Sequence, residues 1–417
     1  MRVELVANTK SGKERVFVLE GHDIFLIGRS RNAHLPLRGD IGLSRHHCVI
    51  ELAPPACVLR DLGSRNGTFL NGRRVEEARL REGDVIRIGG RKMIVRFPDG
   101  APKDGTDMME GASATYELGA SEEIAEPRRA PAPSGTGEPA GVHAPEIPGY
   151  RTIRPLGRGN QGMVWLARRD DVGDQVALKF LLPATGANSR SADQFLREME
   201  IHGRLVHPRI VRFLGGGTHL QIVYLVMEYV PGTDAEQFRK TCGGELDLSL
   251  ACRICCLALE GLAHAHASGF VHRDVKPSNI LVTEDGPDLT AKLNDFGLAK
   301  ALGEVGSLTL SDEVKGSIPF MPPDQILHCR KPLPQYDVYS MGATLYRLLT
   351  GKFLYDFDGG KHRLAVILED PMIPIRRWRT DVPAELERVI RTAVAKDLPD
   401  RYPDARFFLK ALAPFAG

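Results

Sequence analysis

One short stretch of this 417-residue chain concentrates side chains that can handle a phosphate group. Asp274 offers a carboxylate, Lys276 adds a cation two positions later, and Asn279 adds an amide three positions beyond that. A second carboxylate, Asp295, begins a tight Asp-Phe-Gly turn. Transfer of a phosphoryl group from ATP needs a carboxylate to accept a hydroxyl proton, a cation near the moving phosphoryl, and oxygen ligands for Mg²⁺. The four residues together therefore predict phosphoryl-transfer chemistry.

Elements upstream of this stretch can position a nucleotide. Residues 156–164 form a glycine-rich segment between two apolar runs, and glycines let the backbone approach phosphates where a Cβ would collide. Lys179 follows on an apolar strand and offers a cation that could hold the α- and β-phosphates. Residues 191–205 have helical spacing that leaves Glu198 on a polar edge, able to pair with Lys179. A solvated surface glutamate is the alternative for Glu198.

Residues 148–415 resemble the eukaryotic-like serine/threonine protein kinases. The resemblance rests on the His-Arg-Asp-x-Lys-x-x-Asn string at 272–279, the Asp-Phe-Gly turn, the glycine-rich segment and the strand lysine, all in the family's order. It implies a bilobal α+β fold, ATP with Mg²⁺ (or Mn²⁺) as cofactors, and transfer to serine and threonine hydroxyls of proteins, including the chain itself. It makes Asp274 the catalytic base, Lys276 the cation at the γ-phosphate, and Asn279 and Asp295 the metal ligands.

The same resemblance assigns an ATP-binding set and a regulatory loop. The ATP-binding set is Leu156, Gly157, Gly159, Gly162, Val164, Ala177, Lys179, Glu198, Met227, Glu228 and Val230. Met227 guards the back of the pocket, and the backbone at Glu228 and Val230 bonds adenine. Thr309 and Ser311 are the candidates for phosphorylation in the loop after Asp295, whereas Ser317 is expected to bond Asp274 and Lys276. The family's buried ion pair would here join Asp324, which replaces a glutamate, to Arg401.

Residues 1–98 have a different pattern, which predicts short strands joined by turns. Runs such as 15–19, 48–52 and 93–97 are apolar or alternating and rich in β-branched residues, and turn sequences such as Asn66-Gly67 fall between them. No segment has a helical period. The pattern predicts an all-β sandwich.

The polar residues of this segment resemble those of a forkhead-associated (FHA) domain, a phosphothreonine-binding module. Arg29, Ser44 and Arg45 can hold a phosphate dianion through charge-assisted hydrogen bonds, and Asn66 can bracket the main chain of the peptide. By the same analogy Gly28 and His47 shape the loops without touching the ligand. The alternative is that these residues do not bind phosphate. They would then be turn residues and exposed arginines of a sandwich that only mediates contacts with other proteins.

A linker over residues 99–147 separates the two parts. It is rich in Pro, Gly and Ala, its acidic residues outnumber its basic ones, and it cannot bury enough surface to fold, which predicts a disordered segment. Thr115 has an apolar residue three positions later, where FHA domains commonly select, so it is a candidate internal ligand. An acidic linker that only maintains solubility is an equal alternative.

The amino-acid composition limits the kinds of binding partner and compartment that we expect. Lys plus Arg (55) nearly balance Asp plus Glu (53), which favours no nucleic-acid or membrane-surface partner. No run approaches the roughly 18 apolar residues of a membrane helix, so we expect no membrane anchor and a cytoplasmic location. The seven scattered cysteines suit a reducing compartment.

Two classes of function compete. The first is a serine/threonine kinase whose FHA domain reads phosphothreonine on its own linker or on partner proteins. The second is a catalytically silent adaptor that acts through FHA-mediated binding of phosphoproteins. Because Lys179, Asp274 and Asp295 are all present, the sequence favours the enzyme.

Overall fold

The structure, a computed structural model, describes residues 1–8, 14–20, 24–53, 56–100, 145–159, 162–181, 199, 203–220, 222–285, 288–296, 316–327 and 332–417. Most of the predicted linker, together with the candidates Thr115, Glu198, Thr309 and Ser311, lies outside the described residues. The domain boundaries placed at 98 and 147 stay predictions.

The N-terminal part is built of strands. They are β1 (Arg2–Asn8), β2 (Glu14–Glu20), β3 (Ile24–Gly28), β4 (Leu35–Pro36), β5 (Cys48–Ala53), β6 (Ala56–Asp61), β7 (Thr68–Leu70), β8 (Arg73–Val75), β9 (Glu77–Arg79), β10 (Val85–Ile88) and β11 (Arg91–Arg96). One sheet has the order β2-β1-β11-β10-β7-β8 and the other β4-β3-β5-β6-β9. Val3, Leu5, Ile27, Ile50 and Ile86 belong to the core that these strands share, and all five are fully buried. The predicted sandwich is confirmed.

A third sheet, of five antiparallel strands, opens the C-terminal part. Its strands are β12 (Tyr150–Gly159), β13 (Gly162–Arg169), β14 (Gln175–Leu181), β15 (Phe213–His219) and β16 (Ile222–Glu228), in the order β12-β13-β14-β16-β15. Trp165, Leu178 and Val226 pack on one face of this sheet. The sheet therefore carries the glycine-rich segment on β12 and β13 and Lys179 on the neighbouring strand.

Helices predominate from residue 235 onward. They are α1 (Ala235–Thr241), α2 (Leu248–Ala267), α3 (Pro323–Leu327), α4 (Pro334–Thr350), α5 (Arg363–Glu369), α6 (Ala384–Ala393) and α7 (Ala405–Leu412). A small sheet of β17 (Thr233–Asp234), β18 (Ile280–Asp285) and β19 (Asp288–Leu293) lies among them, and the 3-10 turn Pro277–Asn279 leads into β18. The predicted fold class, an all-β sandwich followed by a bilobal α+β domain, is confirmed for the described parts of the chain.

Local sequence explains where the two longest helices begin and end. The Asp247 carboxylate accepts hydrogen bonds from the amides of Ser249 and Leu250 and so caps α2. Pro334 stands in the first turn of α4, where its missing N–H has no helical partner to lose, and Gly351 ends that helix at a φ of 63°. Both helices are fixed at their ends and present long buried faces to the core.

One helix among the described residues, α2, is long and apolar enough to cross a membrane by length and composition alone. Its side chains at Ile254, Leu259 and Leu262 are fully buried within the helical lobe. In this structure α2 is the central helix of that lobe.

Candidate active site

The structure brings together the three residues that the sequence assigned to the catalytic loop. Lys276 Nζ lies 2.8 Å from Asp274 Oδ2. The Asn279 side-chain amide donates to the Asp274 carbonyl at 2.8 Å and to Asp274 Oδ2 at 3.0 Å. Because its NH₂ group faces Asp274, Asn279 keeps its side-chain oxygen available as a ligand. One carboxylate oxygen of Asp274 is therefore held by two donors, which fixes the group that would meet an acceptor hydroxyl.

Ser317 lies beside this cluster. Its Oγ is 2.7 Å from Lys276 Nζ, although it is 41 positions away in the sequence. The same ammonium thus joins Asp274 to the residue that comes after the predicted regulatory loop. Of the two bonds expected for Ser317, the one with Lys276 is present, whereas no direct hydrogen bond joins Ser317 to Asp274 among the described residues.

A buried carboxylate of α4 supports the loop from below. Asp337 is 0% exposed, and it accepts hydrogen bonds from the amides of His272 and Arg273, both at 2.8 Å, and has His266 Nε2 at 2.8 Å. Arg273 has a φ of 69°, which is unfavourable for a residue with a side chain. The hydrogen bonds from these two consecutive amides to Asp337 hold Arg273 in its strained conformation. They thereby direct the Asp274 side chain into the site.

The strand lysine and the carboxylate of the Asp-Phe-Gly turn meet directly. Lys179 Nζ lies 2.9 Å from Asp295 Oδ2. The other carboxylate oxygen, Asp295 Oδ1, is buried and finds no hydrogen-bond partner among the described residues. A buried carboxylate oxygen without a partner is costly unless a cation uses it. This oxygen and the side-chain oxygen of Asn279 form a hard-oxygen donor set of the kind that Mg²⁺ prefers.

Two further contacts hold Asp295 in place. The Asn294 amide donates to the Asn279 carbonyl at 2.9 Å, and the Asn294 carbonyl lies 2.9 Å from His272 Nε2. These bonds tie the end of β19 to the catalytic loop. Asp295 itself has a φ of 59°, so its backbone is also held in a sparsely populated conformation, as often occurs at functional sites.

The glycine-rich segment includes the end of β12 and the start of β13, where Gly159 pairs with Gly162. A Cβ on Gly162, which has a φ of 146°, would lie 1.7 Å from the Phe180 carbonyl oxygen. Gly162 is therefore required by the close approach of β14. A Cβ on Gly157 would meet nothing within 4 Å, so open space lies above Gly157 on the adjoining strand.

The edge expected to bind adenine lies at the end of β16 and in the two residues that follow it. Met227 is buried, and the Glu228 amide donates to the Arg212 carbonyl at 2.9 Å. The Glu228 N–H is thus already used, which leaves its carbonyl for a nucleotide base. The Val230 amide donates to no acceptor among the described residues. This edge therefore offers a nucleotide base one backbone acceptor, the Glu228 carbonyl, and one backbone donor, the Val230 amide.

The ion pair expected between Asp324 and Arg401 does form. Arg401 Nη2 lies 2.7 Å from Asp324 Oδ2, and the Arg401 side chain is fully buried. Its guanidinium also donates to the carbonyls of Gln335 at 3.0 Å and Ala395 at 2.9 Å. The shorter aspartate therefore reaches the arginine, and the pair fastens α3 to the C-terminal helices.

The candidate phosphopeptide residues lie on neighbouring loops at one end of the N-terminal sandwich. Arg29 and Arg45 are exposed, and the Arg29 amide donates to the Ser44 carbonyl at 2.9 Å. Ser44 Oγ accepts a hydrogen bond from the Arg65 amide at 3.1 Å, and Asn66 Nδ2 donates to the Gly42 carbonyl at 2.8 Å. The structure thus joins the 29, 44–45 and 65–66 segments in one connected surface.

Gly28 and His47 support that surface from inside, as the resemblance implies. A Cβ on Gly28 would lie 2.1 Å from the Arg45 carbonyl oxygen, so the loop can approach β3 only at a glycine. His47 is fully buried, its Nδ1 accepts from the Ser44 amide at 3.2 Å, and its Nε2 lies 3.3 Å from the Gly67 carbonyl. Burial lowers the pKa of His47, with Asp61 opposing the shift, and the neutral ring can accept at one nitrogen while it donates at the other.

Sequence reasoning missed two groups. His266, the third partner of Asp337, comes from α2 and carries no local signal. Glu369 on α5 lies 3.0 Å from His46 Nδ1, although 323 positions separate the two residues. The apolar run along β3, which lacks the alternation of a half-exposed strand, is the signal that could have revealed a partner for this sheet.

Comparisons with known proteins agree with this geometry. The model of the protein kinase domain matches residues 150–408, and the model of the FHA domain matches residues 25–89. The chain therefore belongs to the protein kinase family and carries an N-terminal FHA domain.

Several bacterial proteins are similar to the kinase part. The probable serine/threonine-protein kinase PknB of Lactococcus lactis is 33% identical over 265 residues, which cover 63% of this chain and 41% of that protein. The serine/threonine-protein kinase PrkC of Bacillus subtilis is 33% identical over 259 residues, 61% of this chain and 39% of that protein. The matches thus span about two fifths of the length of these relatives. The crystal structure of the PknI kinase domain of Mycobacterium tuberculosis superposes with a TM-score of 0.51 at 28% identity, over 65% of this chain and 98% of that one.

Proposed function

We propose that this chain is a serine/threonine protein kinase that transfers the γ-phosphoryl group of ATP to protein hydroxyls and reads phosphothreonine through its FHA domain. The observation that carries the proposal is the cluster of Asp274, Lys276 and Asn279, with Ser317 bonded to the same ammonium. A carboxylate held by two donors beside a hydroxyl-bearing segment suits the alignment of an acceptor hydroxyl.

Each residue has a distinct task in this proposal. Asp274 orients the acceptor hydroxyl and takes its proton, while Lys276 stabilises negative charge that develops on the transferred group. Lys179 holds the nucleotide phosphates and stays in place through its ion pair with Asp295. Asn279 and Asp295 would hold Mg²⁺, or Mn²⁺ in its place, and the ion would neutralise phosphate charge and fix the phosphate geometry.

The nucleotide site draws on the remaining assigned residues. Leu156 and Val164 would cover the base from the glycine-rich segment, and Ala177 and Met227 would line the inner side of its pocket. The Glu228 carbonyl and the Val230 amide would bond the adenine edge, which matches the acceptor and donor that this backbone offers. Gly157 and Gly159 would leave room for the phosphates, and Glu198 would pair with Lys179.

The FHA domain would supply the second activity. Arg29, Ser44 and Arg45 would bind the phosphate and Asn66 the peptide backbone, on the chain's own linker or on a partner protein. Support comes from the connected loop surface and from the buried Gly28 and His47 beneath it. A phosphorylated threonine carries close to two negative charges, which two exposed arginines can match.

Protein substrates and phosphothreonine proteins are the partners in this proposal, and the cytoplasm is the compartment. The six cysteines among the described residues are all unpaired, which suits a reducing environment.

Mapping of phosphorylated residues by mass spectrometry tests the proposal. The purified chain, first dephosphorylated, is incubated with Mg²⁺ and ATP and compared with a sample that lacks ATP. We expect new phosphates on serine and threonine only. A folded chain that gains none would favour the catalytically silent adaptor.

A further inference from the structure

One sheet of the FHA domain has an apolar outer face. Along β3, Ile27 points into the sandwich core, whereas Ile24 and Leu26 lie on the opposite face, where Leu26 pairs with Val49 of β5. Ile24 and Leu62 are 1% exposed, and Leu26 and Val49 are 0% exposed. A sheet face in contact with water would not bury these four side chains, so another part of the molecule covers them.

The cover is the helical lobe of the kinase domain. Ile24, Leu26 and Val49 belong to one continuous hydrophobic cluster with Leu327 of α3 and Leu364 of α5. The FHA core proper, on the other face of the same strands, forms a separate cluster. The outer face of β3 and β5 is therefore a docking surface, and its occupant is the kinase lobe of the same chain.

A hydrogen-bond relay fixes one side of this contact. His34 Nδ1 accepts from the Leu26 amide at 2.8 Å, so Nε2 is the nitrogen that carries the proton in the neutral ring. That Nε2 lies 2.6 Å from the Leu327 carbonyl at the end of α3. His34 thus connects the backbone of β3 to the segment that comes after the kinase's predicted regulatory loop.

An acidic residue lies on the other side of the contact between the FHA domain and the kinase lobe. Glu369, at the end of α5, has Oε1 3.0 Å from His46 Nδ1 and Oε2 3.8 Å from Arg45 Nη2. Burial alone would raise the pKa of Glu369, but the ammonium of Lys361 at 2.9 Å and the contact with His46 lower it, so the carboxylate is ionised at neutral pH. An anion of the kinase lobe therefore faces the loop that we propose to bind phosphothreonine.

We propose that Glu369 and a phosphothreonine ligand compete for the 45–46 loop, so that ligand binding loosens the contact between the FHA domain and the kinase lobe. The inference rests on the proposed phosphothreonine reading. Arg45 is 64% exposed, so its guanidinium is free to turn from the carboxylate to a phosphate, which offers more acceptor oxygens and more charge. A phosphate beside the ionised Glu369 would also repel it. Because coupling between two sites is reciprocal, docking weakens ligand binding as much as ligand binding weakens docking.

The test changes only the kinase side of the contact, in the full chain. Binding of a labelled pool of degenerate phosphothreonine peptides is measured for wild type, for Glu369→Ala and for Glu385→Ala, which removes an exposed glutamate of α6 as a matched control. The unphosphorylated pool is the blank. We expect Glu369→Ala to bind at least about fivefold more tightly than wild type, the lower end of typical coupling between sites, and Glu385→Ala to match wild type.

Amide hydrogen exchange provides a second measurement of the contact. We expect the pool to speed amide exchange in residues 363–369 of wild type and to change it little in Glu369→Ala, where the contact is already weakened. Equal affinity of wild type and Glu369→Ala, or binding that leaves exchange at 363–369 unchanged, would overturn the competition. A gain in affinity that disappears when the chain is diluted tenfold would overturn the same-chain occupant and indicate contact between two copies.

The phosphothreonine reading itself can fail separately. If neither wild type nor Glu369→Ala binds the pool above the blank, the proposed FHA activity is wrong, and the competition falls with it. If wild type and Glu369→Ala both bind the pool, and adding Arg29→Ala to each abolishes binding, the FHA domain does bind phosphothreonine. That conclusion holds whatever the effect of Glu369→Ala on affinity.

Discussion

Lys179 and Asp295 form an ion pair that joins the five-stranded sheet of the kinase domain to the turn after β19, with 2.9 Å between Nζ and Oδ2. The lysine side chain is 7% exposed and the aspartate side chain 19%. The group that would hold the nucleotide phosphates and a group that would hold the metal therefore stand in contact, while Asp295 Oδ1 stays without a protein partner among the described residues.

The first prediction concerns Lys179→Met. We expect phosphoryl transfer to fall by at least about a hundredfold, because the phosphates lose a preorganised cation whose removal typically raises the barrier by about 3 kcal/mol or more. The fold should persist, because methionine fills a similar volume. Transfer is measured with saturating Mg²⁺ and ATP, and Lys410→Met, which removes an exposed lysine of α7, serves as the control. Near-wild-type turnover by Lys179→Met would refute its assigned role.

The second prediction concerns the support of the catalytic loop. Asp337→Ala strands three buried donors, and since each costs about 1–3 kcal/mol, we expect the unfolding free energy to fall by roughly 3–5 kcal/mol. Denaturant unfolding followed by tryptophan fluorescence measures this, because both tryptophans, Trp165 and Trp378, lie in the kinase domain. Asp358→Ala, which alters an exposed aspartate, should have little effect. A loss below about 1 kcal/mol for Asp337→Ala would show that the loop does not depend on this carboxylate.

The third prediction concerns the loop between Asp295 and Ser317. A phosphate there would form charge-assisted hydrogen bonds with the Arg273 guanidinium next to Asp274. We expect simultaneous replacement of Ser307, Thr309 and Ser311 by Ala to lower transfer about tenfold to a hundredfold, as for the loss of one or two such bonds.

The control for that variant replaces three hydroxyls of the linker, Ser113, Ser121 and Ser134, by Ala. It should keep wild-type activity. Full activity in the loop variant would eliminate phosphorylation of these residues as the switch and leave Thr309 and Ser311 without a regulatory role.

The fourth prediction concerns an internal ligand of the FHA domain. A linker of this length spans roughly 35–40 Å on average, so Thr115 can reach both an active site and the FHA loops at an effective concentration of about millimolar. We expect a phosphorylated Thr115 peptide to bind the full chain carrying Asp274→Asn, which cannot phosphorylate itself. Arg29→Ala should weaken binding at least about tenfold, as expected for the loss of a charged hydrogen-bond donor.

Phosphopeptides spanning Thr106 and Thr136 complete that series. If none of the three binds, the linker is not the ligand, and the FHA domain would read only foreign partners. The unphosphorylated Thr115 peptide, measured beside them, separates recognition of the phosphate from binding of the rest of the peptide.

Local patterns predicted the sandwich, and the resemblance carried by the motif residues predicted the bilobal fold and the grouping of the candidate catalytic residues. Asp274, Lys276 and Asn279 fall within six positions, so the chain keeps them near one another, and Asp337 then fixes the conformation in which they meet. Short alternating runs with turn residues between them likewise predicted the sandwich, because a strand's period is a property of a few neighbouring residues.

Contacts between distant segments could be predicted only where the family resemblance implied them, as for Ser317 with Lys276 and Asp324 with Arg401. Nothing near Glu369 indicates that it meets His46, and nothing near His266 indicates that it bonds Asp337, because tertiary packing determines both contacts. The apolar outer face of β3 did carry a signal in its lack of alternation, but a buried face does not say what covers it. Glu198, Thr115, Thr309 and Ser311 stay predictions.

Catalytic activity is tested by transfer from γ-labelled ATP to a generic protein acceptor, with phosphoamino-acid analysis of the product, for the wild-type chain and for Asp274→Asn. We expect phosphoserine and phosphothreonine with wild type, and a rate at least about a hundredfold lower with Asp274→Asn, as for the loss of a general base. Unaltered tryptophan fluorescence confirms that the variant is folded. No transfer by folded wild type, or equal transfer by Asp274→Asn, would contradict the assignment of this chain as an active serine/threonine kinase.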